Sequence, residues 1–163
     1  MSALLQWDAY AVHFPSAAFG QLAQELTGRV PYIAFDAAAS ETVMLHGKLP
    51  AEASGNYTLY FVGHMAIATT NSALPIASVE ALTPGDARNL MTGLYFSSYN
   101  TAAPLQVPAN SGTEFSGTIL LATGDNIAAG DRFRIRFGRS AEAASDGAAG
   151  DWRVTYWELR DAR

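Results

Sequence analysis

From residue 31 onward the apolar positions recur with a period of two, the period of a strand whose two faces meet different surroundings. Residues 31–36 set Tyr32 and Ala34 against Ile33 and Phe35, and residues 41–49 keep Val43, Leu45 and Leu49 largely in step. Residues 56–65 form a run rich in aromatic and β-prone side chains. Residues 76–82, 94–99 and 113–122 continue the pattern, the last with Phe115, Ile119 and Leu121. The clearest alternation is in residues 132–137. There Phe133, Ile135 and Phe137 point one way and Arg132, Arg134 and Arg136 the other, which predicts one buried and one wet face. In residues 152–159 strict alternation sends Trp152, Val154 and Tyr156 inward. Trp157 and Leu159 then point outward, which predicts a covered outer face.

Eight such segments, separated by turn residues, predict an all-β fold: an antiparallel, jelly-roll-like β-sandwich of about eight strands with an N-terminal arm. No long helical pattern alternates with them, which excludes a βαβ architecture. The first thirty residues differ. Trp7, Tyr10, Phe14 and Phe19 are scattered along an irregular stretch. Ser16 is placed to cap a short helix carrying Phe19, Leu22 and Leu26, with Gly28 ending it. The chain therefore divides into an arm, 1–30, and a sandwich, 31–163. The arm is expected to lie on its own domain or on a neighbour. Residues 140–150 are a long, small-residue, mildly acidic loop joining the last two strands.

The length of 163 residues suits one domain, and 49% apolar residues supply an ordinary core. The absence of cysteine excludes disulfides, thiolate metal sites and a cysteine nucleophile, and fits an intracellular setting. The N-terminus lacks the basic region of a signal peptide, and no apolar run is long enough to span a membrane. The sequon at Asn56 then reads as a coincidence. The net charge is −5 and Lys48 is the only lysine, so no nucleic-acid partner and no membrane partner are expected. The Arg132, Arg134 and Arg136 row suits an acidic neighbouring subunit better than a phosphate backbone.

Candidate chemistry is sparse. His46 and His64 would share a zinc ion only if their strands were neighbours, and they lack a His-Glu-x-x-His spacing. Ser111-Gly112 and Ser116-Gly117 are fragments of a nucleophile turn, and residues 124–130 lack the Gly-Lys-Ser/Thr ending of a phosphate loop. Asp125, Asp131, Glu142, Asp146 and Asp151 flank the last strands. Turn chemistry is the leading account of them; a calcium site or a glycosidase pair is the alternative. The expectation is a protein that is not an enzyme, with no catalytic residue, no metal and no cofactor.

One stretch carries a resemblance. Gly130-Asp131 opens the Arg-rich strand. Arg139 follows, then Ala-Ser-Asp-Gly-Ala-Ala-Gly-Asp at 144–151, and a closing strand ends in Glu158-Leu159-Arg160. This resembles a group of small jelly-roll virion proteins of tailed bacteriophages, and residues 31–50 look like the group's entry strands. Residues 66–113 match nothing in it. The resemblance implies a capsid decoration (cement) protein, made in the host cytoplasm and mounted on the capsid surface. Its implied partners are the major capsid protein and copies of itself, as a homotrimer. Trp7, Tyr10 and Phe14 on the arm, with Arg132, Arg134 and Arg136, are the expected contact residues. Deleting residues 1–14 should then weaken docking and leave the sandwich folded. The alternative is a carbohydrate-binding jelly roll, a head-fibre or tail adhesin, with Tyr95, Tyr99 or Trp157 stacking on sugars.

Overall fold

The computed structural model describes residues 2–83, 85 and 94–161. The turn expected at 83–86 lies partly outside them. Eight strands carry the architecture: β3 (Pro31–Phe35), β4 (Glu41–Lys48), β5 (Tyr57–Met65), β7 (Pro75–Leu82), β8 (Asn100–Thr101), β10 (Phe115–Leu120), β11 (Arg132–Arg139) and β12 (Trp152–Asp161). One sheet runs β3-β12-β5-β10 and the other β4-β11-β7-β8, and every pair of strands is antiparallel. The chain crosses between the sheets at most connections, which is the two-sheet jelly roll. Four further strands decorate it. β1 (Ser2–Asp8) pairs with β12, β2 (Gln21–Gln24) pairs with β3, and β6 (Ser72–Ala73) pairs with β9 (Leu105–Gln106).

The core lies between the sheets. Phe137 of β11 is its hub: its ring lies 5.2 Å from Phe61, 5.6 Å from Trp152, 5.7 Å from Trp157 and 5.8 Å from Phe35. All four partners come from the opposite sheet, and mixed edge-to-face packing of this kind adds to the energy of area burial. Val43, Leu45, Leu59, Phe133 and Ile135 complete the layer and are fully buried. Their burial matches the period-two pattern of β4, β5 and β11.

Three expectations are corrected. The first concerns β12. Its pairing with β5 slips between Val154 and Tyr156, a β-bulge at Thr155. The extra residue reverses the alternation, so Trp157 and Leu159 point into the core and Tyr156 points out. No second apolar layer is needed.

The second concerns the arm. Residues 2–8 are a strand of the larger sheet, and Trp7 is buried edge-on to Phe133 at 6.2 Å. Its indole Nε1–H donates to the His46 carbonyl oxygen in the opposite sheet, at 3.0 Å. Trp7 thus closes one end of the sandwich, and removing residues 1–14 would open it. The expected helix is replaced by β2, paired from Gln21↔Ala34 to Gln24↔Pro31. Gly20 permits that approach, since a Cβ there would sit 2.6 Å from Ile33 Cγ2. A helix of barely three turns is marginal without packing, and pairing with a sheet edge prevails. Phe19, Leu22 and Leu26 remain exposed.

The third concerns residues 94–99, which are not a strand. Beyond β8, side chains take over the free edge of β7. The Val79 amide donates to Ser97 Oγ at 3.1 Å, the Ala81 amide to Asp125 Oδ2 at 3.0 Å, and the Tyr95 amide to Glu80 Oε1 at 3.2 Å. Side-chain acceptors and one backbone bond, from the Ser97 amide to the Val79 carbonyl oxygen at 2.8 Å, therefore seal this edge.

Candidate binding groove

The outer face of the smaller sheet carries the arginine row. Arg132 is exposed. Arg134 pairs with the fully buried Glu80, Nη2 to Oε2 at 2.5 Å. Arg136 lies over Phe96, its guanidinium carbon 4.2 Å from the ring centroid, and Arg134 approaches the same ring at 5.7 Å. Phe96 belongs to the segment 94–99 that runs beside the edge of β7, a long-range placement that strand periodicity does not encode.

Beside this row lies a groove of about 560 Å³. It is built on one cross-strand register, Thr42 of β4, Gly138 of β11, Ile76 of β7 and Thr101 of β8. Gly138 lets β4 and β11 approach closely there, since a Cβ would collide with the Glu41 carbonyl oxygen. Residues Pro15 to Ala18 form one wall, and Tyr99 with Leu94 the other. The hydroxyls of Ser16, Ser40, Thr42, Thr101 and Ser140 line it together with Leu74, Ile76 and Arg136. Tyr99 is 44% exposed, and its hydroxyl accepts a hydrogen bond from Arg136 Nη1 at 3.3 Å. The contact fixes the edge of the ring and leaves a tyrosine face available at the groove. The lining thus combines apolar side chains, one tyrosine and five hydroxyl-bearing residues.

The remaining candidates are placed as follows. Tyr10 and Phe14 are exposed, and Phe14 packs edge-on to Phe19 at 5.8 Å. Tyr95 is exposed, whereas Trp157 is fully buried and offers no sugar a platform. His46 and His64 sit in different sheets, so they do not form a pair. His46 instead stacks on His13 at 4.4 Å; partial burial, His13 and the nearby Arg134 and Arg132 push its pKa down to about 4. Among the described residues no cluster of three or more His, Asp or Glu side chains is placed to hold a metal ion. Asp131 accepts the Ala128 amide at 2.9 Å, as turn chemistry requires, whereas Asp125 reaches the distant Ala81 amide of β7. Asp146 is committed to Arg139: Nε donates to Oδ2 at 2.9 Å and Nη2 to Oδ1 at 2.7 Å.

A second cleft, of about 530 Å³, lies against the larger sheet. At its edge Glu25 receives His64 Nε2–H at 3.0 Å and Arg153 Nη1–H at 2.5 Å. Arg153 also covers the Tyr32 ring at 4.8 Å. Glu25 opens the turn between β2 and β3, where the Arg29 amide donates to its carbonyl oxygen. The triad therefore ties that turn across the sheet to β5 and β12. The His64 hydrogen bond, with Arg153, holds the Glu25 carboxyl below its ordinary value of 4.5. A carboxyl depressed in the folded state stabilises above its unfolded pKa and loses that contribution as pH falls through the folded one. The protection factor of the Arg29 amide, exchange corrected for its intrinsic pH dependence, is accordingly expected to fall below about pH 4.5. In Glu25→Gln it should be low already at neutral pH and show no such step. Wild-type protection that stays constant down to about pH 3 would contradict this role for the triad.

No protein-family model and no curated protein sequence matches the chain. Among solved structures, it is similar to the C-terminal carbohydrate-binding module CBM6 of LamC, a marine laminarinase from Zobellia galactanivorans. The identity is 15%, over 96% of this chain and 98% of that one, with a TM-score of 0.48. It is also similar to a CBM28 module specific for non-crystalline cellulose, at 11% identity over 93% and 86%, TM-score 0.48. The mannan-recognising module TmCBM27 matches at 13% identity over 97% and 89%, TM-score 0.41. Likeness at this level assigns neither ligand nor activity to this chain.

Proposed function

We propose that the chain is a carbohydrate-binding jelly-roll module that holds a sugar in the Tyr99 groove without turning it over. The observation that carries this reading is the groove's make-up: an exposed tyrosine face opposite a wall of small residues, over a floor fringed by five hydroxyls. Sugar rings present apolar C–H faces and a rim of hydroxyls, and this lining offers a partner to each. No carboxylate is among the described residues lining the groove, which supports binding without glycoside cleavage. Calorimetric titration against a panel of oligosaccharides tests the reading. At least one is expected to bind, and Tyr99→Ala to weaken it by about 2- to 10-fold, the worth of an aromatic contact. Wild-type protein that binds none of the panel, or a Tyr99→Ala variant that binds unchanged, would sink it.

A second reading is favoured by Tyr10, Phe14 and Phe19, exposed apolar rings on one segment. Aromatic anchors of this kind dominate protein interfaces. In this reading the module decorates a phage capsid as a trimer and docks on the major capsid protein through that segment. Tyr10→Ser with Phe14→Ser is the suitable variant, because it spares Trp7 and β1. Unchanged occupancy of capsids by the double variant would reject this reading.

A further inference from the structure

Among the described residues, four of the six strand arginines pair with a carboxylate; Arg132, which is exposed, and Arg136 do not. Arg134 pairs with Glu80, Arg139 with Asp146, Arg153 with Glu25 and Arg160 with Glu158. Arg136 is half-buried like most of them, yet among the described residues no carboxylate pairs with it. Its contacts are the Tyr99 hydroxyl, which accepts from Nη1, and the Phe96 ring. Withdrawing a guanidinium from water without a counter-charge is costly, so such a group is a standing site for an anion from outside. Arg136 is also the one charged side chain among the described residues lining the groove.

From this we infer that the groove selects an anionic sugar, one whose carboxylate or sulfate pairs with Arg136 while its ring lies on Tyr99. The inference rests on the sugar-binding reading above and names the ligand class for the same site. A guanidinium offers parallel N–H donors, which suit a planar, two-oxygen partner such as a uronate carboxylate. The hydroxyl fringe distinguishes a sugar acid from a bare anion, because it has partners for the ring hydroxyls as well as for the charge. The overall charge of −5 repels long polyanions, so short oligosaccharides are the proper probes.

The test compares an oligogalacturonate with its fully methyl-esterified form, which keeps the ring and loses the charge. A sulfated oligosaccharide of equal length is the third arm and a neutral gluco-oligosaccharide the fourth. On the wild type the acid is expected to bind at least about tenfold more tightly than its ester, the usual worth of a charge-assisted hydrogen bond. That preference should shrink as salt rises, and Arg136→Gln should abolish it. Tighter binding of the sulfated arm would support the same pairing with sulfate as the anion. Equal or tighter binding of the ester or the neutral arm would overturn the inference and leave the sugar-binding reading standing. Binding of no arm would overturn both. The acid-to-ester ratio is read on the wild type, so the outcome does not depend on how the variant folds.

Discussion

Arg139→Ala is expected to lower the unfolding free energy by about 3–5 kcal/mol, the cost of stripping one partner from a buried ion pair. Both members are out of solvent, at 0% and 1% side-chain exposure. Arg139 also donates from Nη1 to the Gly150 carbonyl oxygen at 2.7 Å and from Nη2 to that of Ala148. Asp146 in turn accepts the Leu74 amide at 2.9 Å. One guanidinium therefore holds the whole 140–150 loop against β11 and the start of β7. For a chain of this size, thermal denaturation should show a midpoint roughly 6–20 °C lower. Leu74 and Ser140 line the groove, so ligand binding should fall with the loop. Replacing both partners, as Arg139→Met with Asp146→Leu, should recover much of the loss, since no unpaired charge is then buried. A single variant within about 1 kcal/mol of wild type would contradict this account of the loop, because that is the scale of an exposed pair.

Trp157→Ala should cost a similar amount, about 3–5 kcal/mol, through the cavity it leaves beside Phe137. The residue is fully buried, with the two rings 5.7 Å apart at 80°. The expectation depends on the bulge at Thr155. Were the alternation of β12 unbroken, Trp157 would face outward and its loss would cost little. Chemical denaturation of the variant decides between the two registers, and a change below about 1 kcal/mol would reject the bulged one.

The jelly roll was legible because its core obeys a local rule. Val43, Leu45, Phe133, Ile135 and Phe137 alternate with polar residues, and each is buried as the alternation requires. Where the reading failed, a long-range contact overrode a local pattern. Nothing near Thr155 announces a bulge, yet one extra residue turned Trp157 inward. The spacing of Phe19, Leu22 and Leu26 mimics a helix, while the pairing of β2 with β3 depends on Gly20 fitting against Ile33. Trp7 looked like a docking anchor because its partner carbonyl lies in a strand thirty-nine positions away.

The site was less legible than the fold. Tyr99 was a candidate stacking residue, and Arg136 stood in a visible row. The groove that joins them also needs Pro15 to Ala18 and Ser140, brought together by tertiary structure alone. The five loop carboxylates read first as turn residues, with a calcium site or a glycosidase pair as the alternatives. Asp125, Asp131 and Asp146 are engaged with backbone amides and with Arg139. The buried Arg139–Asp146 pair could not be read from its spacing of seven residues, since nothing in a loop sequence says that it folds back on the strand before it.

The most direct test of the central claim is to map a bound oligosaccharide by amide chemical-shift changes in an isotope-labelled sample. Perturbations gathered at Thr42, Tyr99, Thr101, Gly138 and Ser140 are the predicted result. Perturbations confined to the outer face of the larger sheet, around Tyr60, Thr118 and Glu158, would contradict it.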